Sequence, residues 1–203
     1  MYARIGSIPP AAKRLFDELQ EKDLISWSTM INGYGIHGEG QAAIKIFLKM
    51  EETGASPDDV TFVSILSACS HAGLVEEGRL FFKLMVEKHG IAPRMEHYAC
   101  LIDLFSRSGD LIEALDLVKT LPVKPSVELL ESLLGACRCH GESKVGEAVG
   151  KLLIELHPST SSYVMLSNIY SAAERWEDSG RLRLDMRAKA LRKEPGTSFA
   201  SMG

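Results

Sequence analysis

The stretch Asp23-Leu-Ile-Ser-Trp-Ser-Thr-Met-Ile-Asn-Gly-Tyr-Gly-Ile-His-Gly38 decides the fold, because it joins a helical pattern to a glycine that can end the helix. Its apolar side chains follow the i, i+3, i+4, i+7 spacing of one helical stripe: Trp27, Met30, Ile31 and Tyr34. Gly38 suits the left-handed conformation that often follows the last turn of a helix. A second amphipathic pattern begins directly after it, so the stretch predicts the first helix of a helical hairpin.

The same pattern recurs along the chain. Further stripes are Phe62, Ile65, Leu66, Cys69; Tyr98, Leu101, Ile102, Phe105; Leu130, Leu133, Leu134, Cys137; and Tyr163, Leu166, Ser167, Tyr170. Turn residues recur in steps of 32, 35, 36, 32 and 33 residues at Gly6, Gly38, Gly73, Gly109, Gly141 and Glu174. Prolines recur at Pro57, Pro93, Pro125 and Pro158. A small residue follows five places after each turn glycine: Ala11, Ala43, Gly78, Ala114 and Gly146. These shared intervals predict two-helix repeats that bury their apolar faces by stacking.

Each recurring residue has a physical role in this prediction. The small residue lets the second helix lie close to the first, and the proline prevents the second helix from continuing. The predicted units are 1–23 (partial), 24–58, 59–94, 95–126, 127–159 and 160–193, followed by an irregular tail at 194–203. The predicted fold class is all-α.

Composition and charge limit the function. The chain of 203 residues has a net charge of −4, whereas proteins that hold nucleic acid mainly through phosphates are usually basic. No apolar run approaches the roughly 18 residues that a membrane span needs, so no membrane partner is expected. The four cysteines lie in apolar stretches and are predicted to be reduced and buried: Cys69, Cys100, Cys137 and Cys139.

The ordered series of units resembles a plant PLS-class pentatricopeptide-repeat protein. Residues 24–58 resemble a P-type repeat, 59–94 a long repeat and 95–126 a short repeat, and 1–23 is similar to part of another short repeat. Within 127–193, Ser132-Leu-Leu-Gly-Ala-Cys-Arg-Cys-His-Gly and Tyr163-Val-Met-Leu-Ser-Asn-Ile-Tyr resemble the two E motifs. Lys193-Glu-Pro-Gly-Thr-Ser-Phe resembles the segment that follows them.

The resemblance implies a right-handed α-solenoid that binds single-stranded RNA, roughly one base per repeat. It implies a mitochondrial or chloroplast factor for RNA processing, most often cytidine-to-uridine editing. Because no deaminase signature is present, the editing enzyme and other organellar editing factors would be protein partners recruited through 127–193. The alternative is a tetratricopeptide-like scaffold that binds proteins and no RNA, which the acidic charge favours.

The resemblance assigns base choice to the fifth and the last residue of a repeat. These are Ser28 and Asp58 in unit 24–58, where a carboxylate that only accepts hydrogen bonds suits a base with N–H groups, such as guanine or uracil. The resemblance favours guanine. The competing interpretation makes Ser28 a solvated helix residue and Asp58 a helix cap. Weaker pairs follow in the next two units: Val63 with Arg94, and Ala99 with Ser126. Glu131 holds the corresponding place in 127–159, where its charge would repel phosphate.

No catalytic, metal or cofactor site is predicted, so the chain is not expected to be an enzyme. His37-Gly-Glu39 and His140-Gly-Glu142 match the first half of the zinc-deaminase signature, but both fall at turn glycines and the Pro-Cys-x-x-Cys half is missing. The aromatic residues that recur at the repeat period are predicted to be core: Trp27, Phe62, Tyr98 and Tyr163. In the basic run 181–193, Leu182 and Met186 are predicted to face inward.

Overall fold

The computed structural model describes residues 10–189 and residue 191, and this part of the chain contains eleven α-helices and no strand. The all-α fold class predicted from the sequence is thus confirmed. In chain order the helices are α1 (Pro10–Glu18), α2 (Leu24–Ile36), α3 (Gly40–Glu52), α4 (Asp59–Ala72), α5 (Val75–Glu87), α6 (Met95–Ser108), α7 (Leu111–Lys119), α8 (Val127–His140), α9 (Ser143–Leu156), α10 (Thr160–Ala172) and α11 (Trp176–Ala188). None of these helices is both long enough and apolar enough to cross a membrane.

The helices alternate in role. We call α2, α4, α6, α8 and α10 the A helices, and α1, α3, α5, α7, α9 and α11 the B helices. The chain divides into two compact units, of which the first contains α1–α7 and the second contains α8–α11. In each unit, an A helix packs against the B helix that follows it and against the next A helix.

In the first unit the A helices approach one another closely because the sequence supplies small residues where they meet. A Cβ atom added to Gly35 of α2 would lie only 2.9 Å from both Cα and Cβ of Ala68 in α4. The spacing between these two A helices is therefore set by a glycine that faces an alanine.

The B helices of the first unit are arranged differently. Among the described residues, no Cα atoms of α3 and α5, or of α5 and α7, lie within 8 Å of each other. Side chains bridge these helices instead. The rings of Phe47 in α3 and Phe81 in α5 are in contact, with centroids 5.0 Å apart. Polar contacts join Gln41 to Glu77, Lys88 to Glu51, and Arg79 to Glu113. The first unit is thus tightly packed along its A helices, whereas its B helices are joined by one aromatic contact and by exposed polar contacts.

The predicted turn residues adopt the left-handed conformation between the helices of each hairpin. Their φ angles are 72° at Gly38, 67° at Gly73, 91° at Gly109, 73° at Gly141 and 58° at Glu174. Glu174 is the only described residue other than glycine with a positive φ, which confirms that it takes the turn position in the last repeat. Gly6 lies outside the described residues.

The small residue that follows each turn does more than the sequence indicated. A Cβ on Gly146 of α9 would lie 3.2 Å from Cys137 of the preceding A helix and 3.1 Å from Ile169 of the next one. At Gly78 of α5, a Cβ would collide with Leu104 of the next A helix. Small size here therefore permits close packing within a hairpin and also between repeats.

The role predicted for the prolines needs correction. Each of them directly precedes the N-cap residue of an A helix: Asp58, Arg94, Ser126 and Ser159. The B helices α3 and α5 end several residues earlier and are followed by Gly54 and Gly90, which have φ angles of 81° and 64°. Only Pro158 follows closely on a B helix, so the prolines mainly set the entry into the next A helix.

The core matches the predicted aromatic positions but not every predicted cysteine. Trp27, Phe62 and Tyr163 are fully buried, and Tyr98 is half-buried against Phe82. Among the cysteines, Cys69 and Cys137 are buried, and burial raises the pKa of these thiols to about 12 and about 11. Cys100 is half-buried. The prediction for Cys139 was wrong: it is exposed, because it lies two residues after buried Cys137 and so on a different face of α8.

Candidate nucleic-acid interface

Ser28 lies in the second turn of α2, on the side that packs against α4. Its side chain is buried, and its Oγ atom lies 3.0 Å from Oγ1 of Thr61 in α4. The interpretation of Ser28 as a solvated helix residue is therefore wrong. The hydroxyl is held in a defined position at the junction of two A helices.

Asp58 is the N-cap residue of α4, and it contacts the same threonine. Its Oδ1 atom accepts hydrogen bonds from the Thr61 backbone N–H at 2.8 Å and from the Thr61 hydroxyl at 2.6 Å. The Asp58 backbone N–H donates in turn to the Thr61 Oγ1 atom, with 3.4 Å between N and Oγ1, which completes a capping box. Asp58 thus caps a helix, as the competing interpretation held, and the cap uses only one of its two carboxylate oxygens.

Thr61 fixes the direction of the hydrogen bonds that link Ser28 to Asp58. Because a carboxylate can only accept, the single proton of the Thr61 hydroxyl goes to Asp58. The Ser28 hydroxyl must then donate its own proton to Thr61. Ser28 and Asp58 are both left with acceptor lone pairs. The sequence did not single out Thr61, although its position three residues after an N-cap aspartate is a capping-box signal.

Two apolar side chains beside this polar group were also missed. Ile25 and Val60 are the second residues of their units, three residues before Ser28 and Val63 on the same helix faces. These residues are 75% and 55% exposed, although both are branched and apolar. Their recurrence at one register of neighbouring A helices was visible in the sequence, but their exposure was not.

The other predicted positions offer less to a base. Val63 and Ala99 are half-buried and have no polar side-chain atom. Arg94 is exposed, and its guanidinium forms an ion pair with Asp59. Ser126, which belongs to the second unit, caps α8 by accepting the Leu129 N–H at 3.2 Å.

His97 replaces Thr61 at the corresponding place of α6. It is fully buried, its Nδ1 accepts the Arg94 N–H at 3.0 Å, and its Nε2 lies 2.9 Å from the Asp59 carbonyl oxygen. Because a carbonyl oxygen only accepts, Nε2 carries the proton and the ring is neutral. Burial lowers the pKa of His97, and the nearby charge of Arg94 lowers it further.

The charges on the A helices leave little for phosphate. Arg107 donates to Asp103 at 2.8 Å, and Ser70 of the neighbouring A helix donates to the same carboxylate at 2.5 Å. Together with the Arg94–Asp59 pair, this places two cations of the A helices beside carboxylates. Glu131 in α8 is half-buried.

Metal ligands are not gathered in the described part of the chain, where no group of three or more His, Cys, Asp or Glu side chains could hold an ion. The two His-Gly-Glu matches fall at hairpin turns, since His37 directly follows α2 and His140 is the last residue of α8.

Comparison with protein families identifies the repeats. The PPR repeat family matches residues 22–71, the PPR repeat matches 60–89 and 96–123, and the E motif matches 140–201. Solved structures share the fold. The pentatricopeptide repeat protein PPR10 from maize has a TM-score of 0.72 at 22% identity, over 91% of this chain and 28% of that one. The PPR domain of Arabidopsis thaliana protein-only RNase P 1, in complex with tRNA, has a TM-score of 0.62 at 12% identity, over 84% of this chain and 92% of that one.

Relatives in Arabidopsis thaliana are more similar in sequence. The pentatricopeptide repeat-containing protein DOT4, chloroplastic, is 44% identical over 98% of this chain and 23% of its own length. The corresponding protein CRR2, chloroplastic, is 43% identical over 97% of this chain and 30% of its own length. The chain thus spans less than a third of these relatives. With its PPR repeats and its E motif, the chain belongs to the pentatricopeptide-repeat proteins of plants.

Proposed function

We propose that this chain is part of an organellar factor that selects sites on single-stranded RNA, most specifically sites of cytidine-to-uridine editing. RNA bases contact the A helices of the first unit, and residues 127–193 recruit a deaminase and other editing factors in trans. The family and the chloroplast proteins among its relatives support an organellar role in RNA processing. The observation that carries the proposal is the hydrogen-bonded group of Ser28, Thr61 and Asp58.

This group favours guanine for a chemical reason. Ser28 donates its hydroxyl proton to Thr61, and Asp58 accepts the proton of Thr61. Each of the two residues can therefore offer only acceptor lone pairs to a ligand. Guanine presents N–H donors on its Watson–Crick edge, whereas cytosine presents a ring nitrogen that only accepts. An acceptor-only site would therefore repel cytosine, and it would bind guanine, which has two donor groups on this edge, in preference to uracil, which has one.

The exposed Ile25 and Val60 supply the second part of the proposed base site. A base placed between these two branched side chains would bury both of its faces against apolar surface, and its edge would point toward the helix junction. Stacking of this kind is insensitive to sequence, since every base has a π-face. Base choice would come from Ser28 and Asp58.

The test uses labelled oligocytidines that carry one central guanosine, adenosine or uridine, with binding measured by fluorescence anisotropy. Wild type is expected to bind the guanosine RNA most tightly. Asp58→Asn adds an amide donor that adenine can accept, so we expect the preference to move toward adenosine by about fivefold or more, of the order of one hydrogen bond. Asparagine is also a good N-cap residue, so α4 should stay capped.

Asp59→Asn is the matched control, because it removes the same charge one residue away, at a carboxylate that pairs with Arg94. It should leave base preference unchanged. Equal shifts from both variants, or no shift from Asp58→Asn, would contradict the assigned role of Asp58. Failure to bind any RNA, together with a stable protein partner, would favour the scaffold alternative.

A further inference from the structure

In the second unit, α10 and α11 enclose an open cavity of about 650 Å³. Its apolar lining comes from Val164 on α10, from Leu182 and Met186 on α11, and from Leu191 beyond it. Arg183 and Arg187, which are both exposed, also line it. Leu182 and Met186, which were predicted to face inward, line this open cavity, and both are only half-buried.

The repeat register shows what kind of element covers this surface elsewhere in the chain. Met50, Met85 and Leu153 each lie twelve residues after a turn residue, and all three are fully buried. Their B helices α3, α5 and α9 each pack against the next A helix. Met186 lies at the same register of α11. The cavity is therefore a surface of the kind that accepts an A helix.

The register also indicates which side chains belong in the first turn of an A helix that would cover the cavity. Phe47 and Phe82 lie nine residues after their turn residues and pack on aromatic residues in the first turn of the next A helix, with ring centroids 5.5 Å from Phe62 and 5.6 Å from Tyr98. Arg183 takes this position in α11. A guanidinium also packs well on an aromatic face, as Arg175 does on Tyr170 of this unit at 4.6 Å.

Charge complements this apolar surface on one side. Arg183 donates through Nε to Ser167 at 3.1 Å, and neither Arg183 nor Arg187 forms an ion pair with a carboxylate of the described residues. A helix that begins with carboxylates would place them near both arginines. The residues that follow Leu191 begin with Arg192 and Lys193, which have the wrong sign for this role.

We propose that the α10–α11 cavity is the docking surface for an A-like helix of a partner protein, with carboxylates and an aromatic residue in its first turn. The partner helix continues the A-helix stacking of the second unit. The proposal rests on the proposed function in that it takes 127–193 as the partner-binding segment, and it names the surface and the chemistry of the partner.

A peptide with this chemistry exists within the chain itself. Residues 58–73 comprise α4 and both of its cap residues, with Asp58 and Asp59 at the start and Phe62 in the first turn. In the peptide, Cys69→Ser removes the thiol. The labelled peptide is titrated against the whole 203-residue chain, and binding is measured by anisotropy. Oxidation of Met186 by hydrogen peroxide, quantified by mass spectrometry, locates the binding, with half-buried Met165 as internal reference because it does not line the cavity.

We expect the peptide to bind and to slow the oxidation of Met186 relative to that of Met165. Arg183→Glu with Arg187→Glu should weaken it about tenfold, and a peptide with both aspartates changed to lysine should recover affinity for that variant. A Phe62→Ala peptide should bind weakly to both proteins.

Three results would overturn the proposal. The first is the absence of peptide binding at concentrations of about 1 mM. The second is a peptide affinity that does not change when the charges of the protein or the peptide are reversed. The third is a Met186 that is already protected in the free chain and becomes reactive in Phe199→Ala, since the chain's own tail would then be the occupant. RNA binding by the Arg183 and Arg187 variants should match wild type, so failure here leaves the RNA proposal intact.

Discussion

Thr61 determines what the side chains of Ser28 and Asp58 can offer to a ligand. The resemblance to pentatricopeptide repeats paired Ser28 with Asp58, because it assigns base choice to the fifth and last residues of one repeat. It did not indicate that Ser28 is buried, since burial depends on how closely α4 approaches α2 and not on Ser28 itself. Likewise, no pattern indicated which hydroxyl donates to which, because that follows from geometry around a third residue.

Replacing Thr61 by valine tests this network at constant side-chain shape. Thr61→Val removes the proton given to Asp58 and the acceptor used by Ser28, so the free energy of unfolding should fall by about 1–3 kcal/mol. Urea denaturation measures the loss. In a double-mutant cycle with Ser28→Ala the two effects should be less than additive.

Thr29→Val is the control, because Thr29 is exposed on α2. It should change the unfolding free energy by less than about 0.5 kcal/mol. A loss at Thr29 equal to that at Thr61 would mean that helix propensity, and not the buried network, accounts for the effect.

The buried imidazole of His97 should make stability depend on pH. Its folded-state pKa is lowered from the ordinary 6.5 by burial, so the unfolded chain takes up a proton that the folded chain resists. The free energy of unfolding should therefore fall as pH drops below about 6.5, while this group has no effect well above that pH. Denaturation series between about pH 8 and pH 5 would measure the slope.

His97→Thr, which restores the residue found at this register of α4, should lose that part of the pH dependence even if it is less stable overall. His71→Gln replaces an exposed histidine of α4 and should retain it. A slope that disappears in His71→Gln but persists in His97→Thr would contradict the assignment.

At the scale of helices, the turn residues were predictable and the exact ends of the B helices were not. Glycine at Gly38, Gly73 and Gly109 marks positions where only left-handed backbone closes the hairpin, and this requirement is local. The prolines were assigned to the wrong boundary, because their effect on the preceding residue acts where the next A helix starts. Gly54 and Gly90 follow α3 and α5 and were the better signal.

The contact between α2 and α4 can be tested at Gly35. Gly35→Ala places a methyl group 2.9 Å from the backbone of Ala68, where no flexible side chain can move aside. We expect a loss of about 1–3 kcal/mol in unfolding free energy, as in other overpacked cores. Thermal and urea denaturation would measure it.

Gly135→Ala is the matched control, since Gly135 is also helical but a methyl group added there would meet no neighbouring atom within 4 Å. Alanine there should stabilise the protein by up to about 1 kcal/mol through helix propensity. The close approach of α2 and α4 would be contradicted if the two variants changed stability in the same direction.

In the second unit, Glu147 of α9 links two helices electrostatically. It forms ion pairs with Arg175, which precedes α11, and with Lys151 at 2.7 Å. The Arg175 hydrogen bond, followed by that of Lys151, lowers the pKa of Glu147 from 4.5 to about 2. Its stabilisation is therefore present above pH 4.5 and is lost as pH falls toward 2.

Glu147→Gln should be less stable than wild type at neutral pH, and the difference should shrink steadily between pH 4.5 and pH 2. Circular dichroism during urea titration at several pH values would follow it. Glu155→Gln changes an exposed carboxylate of the same helix and should track wild type throughout. A difference in unfolding free energy between Glu147→Gln and wild type that stays constant with pH would argue against the ion pairs.

For the molecule as a whole, charge should govern how RNA binding responds to salt. The net charge is −4, and Arg94 and Arg107 already have carboxylate partners. Few counterions should be released on binding, at about 0.7 per neutralised phosphate of a single strand. A plot of log affinity against log salt concentration should have a shallow slope, of magnitude below about 2. A steep slope would show phosphate contacts that this surface does not provide.

The repeats of the first unit vary in length, and the variation lies outside the A helices. Predicted units of 35, 36 and 32 residues contain A helices of 13, 14 and 14 residues, whereas α7 has only nine residues against thirteen in α3 and α5. The B-helix backbones stay apart and are joined only through side chains, such as the Phe47–Phe81 ring contact and the Arg79–Glu113 hydrogen bond. The differences in length therefore fall on the side of each hairpin away from the direct contacts between A helices. Under the proposed function, the distance from one RNA-reading position to the next would thus be insensitive to insertions and deletions on the opposite side of each hairpin.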